Sequence, residues 1–173
     1  MSLNPQIDKV KEQYPLWKSN SRIIGRAAEL YSCEKIKCLR CNQINWSECV
    51  INQKSTDQIC KNCGKKYQIK CKNTFEKAYD NIKKYSKFTT IGGEYNSTLK
   101  SITDKIDYII ILYENVNYNI LDIIHVKSDD ITCKNIIPRK PLSSNAKRAG
   151  WQGCKLHFTN IHFINQCHKY SKV

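Results

Sequence analysis

The sequence predicts an α/β protein, a mixed sheet flanked by helices, with a four-cysteine metal site inserted in it. Three observations point there. Apolar residues recur at helical spacing near the N-terminus. Two β-prone runs, "DYIIILY" and "YNILDIIHV", stand in the second half of the chain. Between these regions lie two Cys-x-x-Cys pairs. Together they describe strands that need helices to cover them and a segment that needs a metal to close it.

Taken in order, Asn4 to Trp17 reads as a first helix with Pro5 at an early position, where a missing N–H is harmless. "SNS" at Ser19–Ser21 offers N-caps to a second helix over Arg22–Tyr31, with Ile23, Ile24, Ala27 and Leu30 on one face. Strands and loops rich in cysteine follow from Lys37 to Lys72. "GGEYNSTLKSITDKI" is a turn and then a helix whose apolar face holds Leu99, Ile102 and Ile106. The two β-rich runs, separated by "ENVN", predict a hairpin. In "RKPLSSNAKRAGW", Ser143–Asn145 is expected to cap a short helix over Ala146–Ala149. With 173 residues and no repeat or low-complexity linker, residues 1–173 are expected to form a single domain.

At 40% hydrophobic and 25% charged residues, the composition is that of a globular chain. The longest apolar run, Tyr108 to Tyr113, is strand-length, well short of the eighteen or so residues of a membrane span. No membrane partner is expected. "MSLNPQIDKV" lacks the apolar core of a signal peptide, so the expected setting is the cytoplasm of a prokaryotic-type cell. Twenty-nine Lys and Arg against fifteen Asp and Glu leave a net charge of +14, spread along the chain. Such an excess favours a polyanion, because neutralising phosphates releases condensed counterions. A generally lysine-rich composition would produce the same number. Ten cysteines in a reducing compartment point to metal rather than disulfides.

Cys38-x-x-Cys41 and Cys60-x-x-Cys63 are separated by eighteen residues, a spacing suited to one Zn²⁺ held by four thiolates. A closed set of four cysteines is structural rather than catalytic zinc. The plainer alternative is a group of reduced, buried cysteines.

The segment "DQICKNCGKKYQIKCK" follows the metal pairs directly into chemistry. In a strand, Gln68 and Lys70 point to one side and Ile69 to the other. If the chain doubles back at Cys60–Cys63, Asp57 arrives beside Gln68 and Lys70. An acid, an amide and an ammonium so placed suit Mg²⁺-dependent phosphodiester cleavage. Asp57, Gln68 and the Ile69 carbonyl would offer oxygen ligands to Mg²⁺, and Lys70 would orient water and offset phosphate charge. A solvated strand edge is the bland alternative.

Four blocks then carry a family resemblance: "KSNSRIIGRAAE", the paired knuckles with "DQICKNC", "YQIKCK", and "IIPRKPLSSNAKRAGWQGC". In this order and spacing, from about Leu16 to Phe158, the chain resembles the catalytic domain of DpnI-type restriction endonucleases, in the PD-(D/E)XK nuclease superfamily. The resemblance implies a restriction-endonuclease-like mixed sheet. Asp57 and Lys70 match the nuclease motif, and Cys38, Cys41, Cys60 and Cys63 match the zinc ligands. Gln68 stands where the motif usually has glutamate, which removes one negative charge and weakens the expected hold on Mg²⁺. Glu29, on the second helix, is a candidate supplementary acid or else a surface helix residue.

The implied activity is that of a type II restriction endonuclease on double-stranded DNA, a site-specific deoxyribonuclease of a restriction-modification system. The implied target is adenine-methylated GATC. The alternative is a zinc-ribbon DNA-binding protein whose nuclease site is degenerate. DpnI-type enzymes continue into a C-terminal winged-helix domain, which is not expected within residues 1–173. In the last block, Arg139, Lys140, Lys147 and Arg148 suit phosphates or guanine edges, Asn145 suits adenine, and Trp151 offers a flat face to a methyl group or a base step. Packing of Trp151 in the core, with the cations holding phosphates alone, is the competing view. The residues assign no oligomeric state.

Overall fold

The computed structural model describes residues 1–48, 56–146 and 149–164. Helix α1 covers Asn4–Gln13, with Pro5 in its first turn. It stops at Tyr14, short of the Trp17 expected from the apolar pattern. Tyr14 precedes Pro15, and a residue before proline is forced away from helical ψ. Trp17 instead stacks on Tyr14, ring centroids 4.3 Å apart. Helix α2 runs over Asn20–Lys35, longer than expected at both ends. Ser19 is its N-cap residue, but the Ser19 hydroxyl pairs with the Ser21 hydroxyl at 3.0 Å instead of a helix N–H.

The strands β1 (Trp46–Glu48), β2 (Gln58–Cys60) and β3 (Lys66–Asn73) follow. Next come α3 (Glu76–Tyr85), β4 (Phe88–Glu94) and α4 (Tyr95–Thr103). The expected hairpin is β5 (Asp107–Tyr113) with β6 (Ile120–Val126), paired antiparallel. Ile106 lies past the end of α4, buried at the entrance to β5. The last described strands are β7 (Ile136–Pro138), β8 (Gly153–Phe158) and β9 (His162–Phe163).

Among the described residues, a six-stranded mixed sheet has the order β1-β2-β3-β5-β6-β9, and β4-β8-β7 form a second sheet of three strands. The β3–β5 pair is parallel. A parallel neighbour needs a long crossover, supplied here by α3, β4 and α4. Every residue of β5 is buried because the strand has an apolar layer on each side. On one side Ile109 and Ile111 pack with α1 and α2 through Ile7, Val10, Ile24 and Ala27. On the other, Tyr108, Ile110 and Leu112 pack with Phe88, Leu156 and Phe158 of the second sheet. Each such large apolar side chain contributes roughly 1.5–3 kcal/mol on full burial. That is why "YIIILY" reads as continuous rather than alternating. Among the described residues, no helix is long and apolar enough to cross a membrane.

Candidate active site and metal centre

The turn between β2 and β3 is built by the second cysteine pair. Gly64 takes φ +68°, which glycine alone adopts freely, and its N–H returns to the Cys60 carbonyl at 2.8 Å. The first pair turns in the same way. Asn42, at φ 58°, donates its N–H to the Cys38 carbonyl at 2.7 Å. These two knuckles bring the sulfurs of Cys38, Cys41, Cys60 and Cys63 within 4.8 Å of one another. Cys38–Cys63 and Cys41–Cys60 are each 3.5 Å apart. A tetrahedron with metal–sulfur bonds of about 2.3 Å has edges of about 3.8 Å, so the four thiols can hold a metal ion such as zinc.

The thiols differ in acidity. Burial works against a Cys38 thiolate. Backbone N–H groups of Cys41 and Arg40, with the Tyr67 hydroxyl and Cys63, nevertheless bring it down to about 6. Cys41 is pushed up to about 12: the Gln43 N–H favours its thiolate, but burial and the neighbouring sulfurs outweigh it. Four thiolates at this spacing need a cation between them.

Past the knuckle, β2 pairs with β3 only over Gln58–Tyr67 and Ile59–Lys66. At Asp57 the two strands part, and the edge of β3 opens. The Asp57 N–H still donates to the Tyr67 carbonyl at 3.0 Å. Its carboxylate takes over the next position on that edge. Asp57 Oδ2 accepts from the Ile69 N–H at 2.7 Å and from the Gln68 side-chain amide at 3.1 Å. In a strand, the N–H and C=O of one residue point to the same edge. The Ile69 carbonyl therefore lies on the edge where Asp57 stands. The Ile69 side chain is buried with the α2 layer, at 5% exposure.

Glu29 reaches the same place from α2. It is bound by Arg26 at 2.9 Å, with the arginine side chain largely buried. Burial raises the Glu29 carboxyl, the Arg26 hydrogen bond opposes this, Asp57 raises it further, and Lys70 pulls it down. Asp57 and Lys70 are thus both within electrostatic reach of Glu29. Lys70 also acts on Cys71 and on Cys154 of β8, whose thiols burial raises. Asp57 and Gln68 are thus hydrogen-bonded at the mouth between β2 and β3, and Glu29 lies within electrostatic reach of Asp57 and of Lys70.

Gln58, beside Asp57, carries no motif, yet it fixes this mouth to α2. It is buried, accepts from the Ser32 hydroxyl at 2.9 Å, and donates to the Glu29 carbonyl at 2.7 Å. A second unforeseen network ties the knuckle to β5. Asp107 Oδ1 meets Lys65 Nζ at 2.6 Å and accepts the Ser128 N–H at 2.9 Å, while Oδ2 meets His125 Nε2 at 2.8 Å. Burial would raise Asp107, but these three donors bring it down to about 2. Nothing in local sequence pairs Lys65 with residues so far along the chain.

The basic block forms the loop between β7 and β8. Arg139 N–H donates to the Gly153 carbonyl at 2.9 Å, and Leu142 N–H to the Trp151 carbonyl at 3.0 Å. Arg139, Lys140 and Asn145 are exposed on it. Lys147 and Arg148 lie outside the described residues, as does half of the expected Ala146–Ala149 helix, whose described part is bend at Ala146 and turn at Ala149. Trp151 is half-buried over Gly153, where a Cβ would come within 2.9 Å of the indole ring. The loop feeds directly into Cys154, within electrostatic reach of Lys70. A family model described as DpnI, the Dam-replacing family, matches residues 2–168 of this sequence, nearly its whole length, and the protein belongs to that family.

Proposed function

We propose that this protein is a type II restriction endonuclease that hydrolyses phosphodiester bonds of double-stranded DNA with Mg²⁺. In this reading its mixed sheet is of the PD-(D/E)XK kind, the cysteine cluster holds structural Zn²⁺, and the target is adenine-methylated GATC. Family membership supports a nuclease acting on DNA. The observation that carries the finer reading is Asp57 held by Gln68 and the Ile69 N–H where β2 leaves β3, with Glu29 in electrostatic reach of Asp57 and Lys70.

The donors there suit a hard cation, which takes carboxylate, carbonyl and amide oxygens. Asp57, the Gln68 amide oxygen and the Ile69 carbonyl would hold Mg²⁺, with Glu29 as supplementary acid. The bound ion supplies Lewis-acid polarisation of the phosphate and a more acidic water. The chain's own groups do the rest. The two N–H donors on Asp57 hold its carboxylate against β3, so little reorganisation is left for the reaction. Lys70 orients the attacking water and offsets charge as one P–O bond forms and another breaks; the water's proton passes to solvent, and the leaving oxygen takes one up from solvent. Arg139, Lys140, Asn145, Lys147, Arg148 and Trp151 contact the DNA from the β7–β8 loop.

One observation favours a second reading, a zinc-ribbon DNA-binding protein with an inactive site. Gln68 is neutral and spends an amide N–H on Asp57. Incubation with adenine-methylated and unmethylated plasmid, under Mg²⁺ or chelator, separates the two. Cleavage that needs Mg²⁺ and falls on the order of 10²–10³-fold in Lys70→Ala is expected of the nuclease. Tight binding with no cutting under Mg²⁺ or Mn²⁺ would establish the binding protein instead.

A further inference from the structure

We propose that the side of α2 carrying Arg22 and Gly25 is a docking surface for the phosphate backbone of DNA, next to the site proposed for cutting. From Gln13 to Ala28 the chain holds Lys18, Arg22 and Arg26 and no acid. Arg26 is committed to Glu29 at 2.9 Å. Lys18 and Arg22 are exposed, and among the described residues neither is paired with a carboxylate. Arg22, Gly25, Arg26 and Glu29 recur at intervals of three and four, so they line one side of the helix. From Arg22 to Glu29 that side runs about 10 Å.

Two independent features of this side call for a ligand. Arg22 is already set in place: its guanidinium lies 3.7 Å from the centre of the Trp17 ring, and Trp17 stacks on Tyr14 at 4.3 Å. A guanidinium stacked by its face keeps its N–H edge for phosphate oxygens, and fixing it beforehand leaves less freedom to lose on binding. Gly25 is the second feature. Glycine in a helix interior is less stable than alanine, so its use there needs a reason. Gly92 and Gly153 have one inside the fold, since a Cβ on either would collide with Cys154 or Trp151. A Cβ on Gly25 meets no other part of the described chain within 4 Å. The fold leaves that space open, and close approach of something from outside is what a glycine there permits. A phosphate backbone answers both features, offering charge to Lys18 and Arg22 and a strand to lie against Gly25. Family membership supports DNA as the partner.

The place of this surface beside the cut phosphate rests on the nuclease reading; the contact with DNA does not. Binding is measured by fluorescence anisotropy of a labelled duplex carrying adenine-methylated GATC, with Ca²⁺ in place of Mg²⁺ to hold cutting back. Gly25→Ala should raise the melting temperature of the zinc-loaded protein by roughly 2–4 °C, because the new methyl group enters open space. The same variant should bind the duplex more weakly. Gly25→Leu should weaken binding on the order of 10-fold at an undiminished melt. Arg22→Ala should make the slope of log affinity against log salt shallower by about one, and Arg22→Lys should restore it. An unraised melt in Gly25→Ala would mean that the fold itself needs the glycine, and overturns the proposal. So would Gly25→Leu binding within about twofold of wild type, or an unchanged salt slope in Arg22→Ala. Should leucine lower the melt, Gly25→Ala decides alone: weaker binding by a more stable protein supports the contact, and equal binding overturns it. Wild type that binds the duplex but never cuts it under Mg²⁺ counts against the nuclease reading and leaves this surface standing. Wild type that binds no duplex overturns both.

Discussion

The mouth between β2 and β3 and the loop between β7 and β8 both carry polar residues, but they are held in opposite ways. At the mouth, Asp57 has its N–H, and two donors to its carboxylate, tied to β3, and Gln58 pins the same segment to α2. Behind it the cysteine cluster closes the turn. In the loop, main-chain bonds near its ends and the Trp151 ring on Gly153 set the path, while Arg139, Lys140 and Asn145 reach outward. The contrast fits the two kinds of work proposed for these regions. Chemistry needs atoms placed before the substrate arrives. Reading a duplex tolerates side chains that settle on binding, since much of the affinity comes from phosphate charge.

The contrast breaks most completely if the clasp is opened. Cys60→Ser removes one of four sulfurs, and metal binding is folding energy in sites of this kind. A loss of several kcal/mol is expected, seen as a lower melting temperature and lost zinc; normal zinc content with an unchanged melt would rule out the clasp. Gln68→Glu sharpens the catalytic side. A second carboxylate at the proposed Mg²⁺ site should lower the Mg²⁺ concentration for half-maximal cleavage about tenfold, equivalent to about 1.4 kcal/mol. A Mg²⁺ titration that does not move would show that Gln68 stands outside the metal site.

The support from β5 gives a pH signature. Asp107 sits near 2 in the folded protein against an ordinary 3.8, because His125, Lys65 and the Ser128 N–H hold its charged form. A depressed carboxyl contributes stability that is complete above its unfolded value and lost as pH falls through the folded one. Roughly 2 kcal/mol should therefore disappear between about pH 4 and pH 2, and Asp107→Asn should flatten that stretch of the urea-stability curve.

The smallest effect belongs to the loop. Arg139→Ala with Lys140→Ala should leave the melt within about 0.5 kcal/mol, as exposed side chains do. The slope of log affinity against log salt should become shallower by about one for each DNA phosphate no longer neutralised. A melt that collapses would place the loop with the clasp rather than against it.

What could be read in advance follows from where each signal lives. The cysteine spacing, the helical face of Ile23, Ile24 and Ala27, and the β5–β6 hairpin are local patterns, and the structure has all three. Helix α1 stops early because Pro15 outweighs the apolar period. Helix α3 was not expected, although Tyr79 and Ile82, three apart, pack on the second layer and Lys83 and Lys84 sit in its last turn. Gln58, Tyr67 and the Asp107–His125–Lys65 network had no such pattern. Each is defined by partners on other elements.

By itself, the order of residues determined that four cysteines would form two matched turns, and that one strand would carry an amide and an ammonium on the same side. Spacing and side-chain alternation do this without reference to the rest of the chain. Tertiary structure alone decided which edge of β3 stays open and that Gln58 pins the Asp57 segment to α2. These depend on where β2 leaves its neighbour and on how a helix crosses the sheet. Both are outcomes of packing between distant segments, which no local pattern encodes.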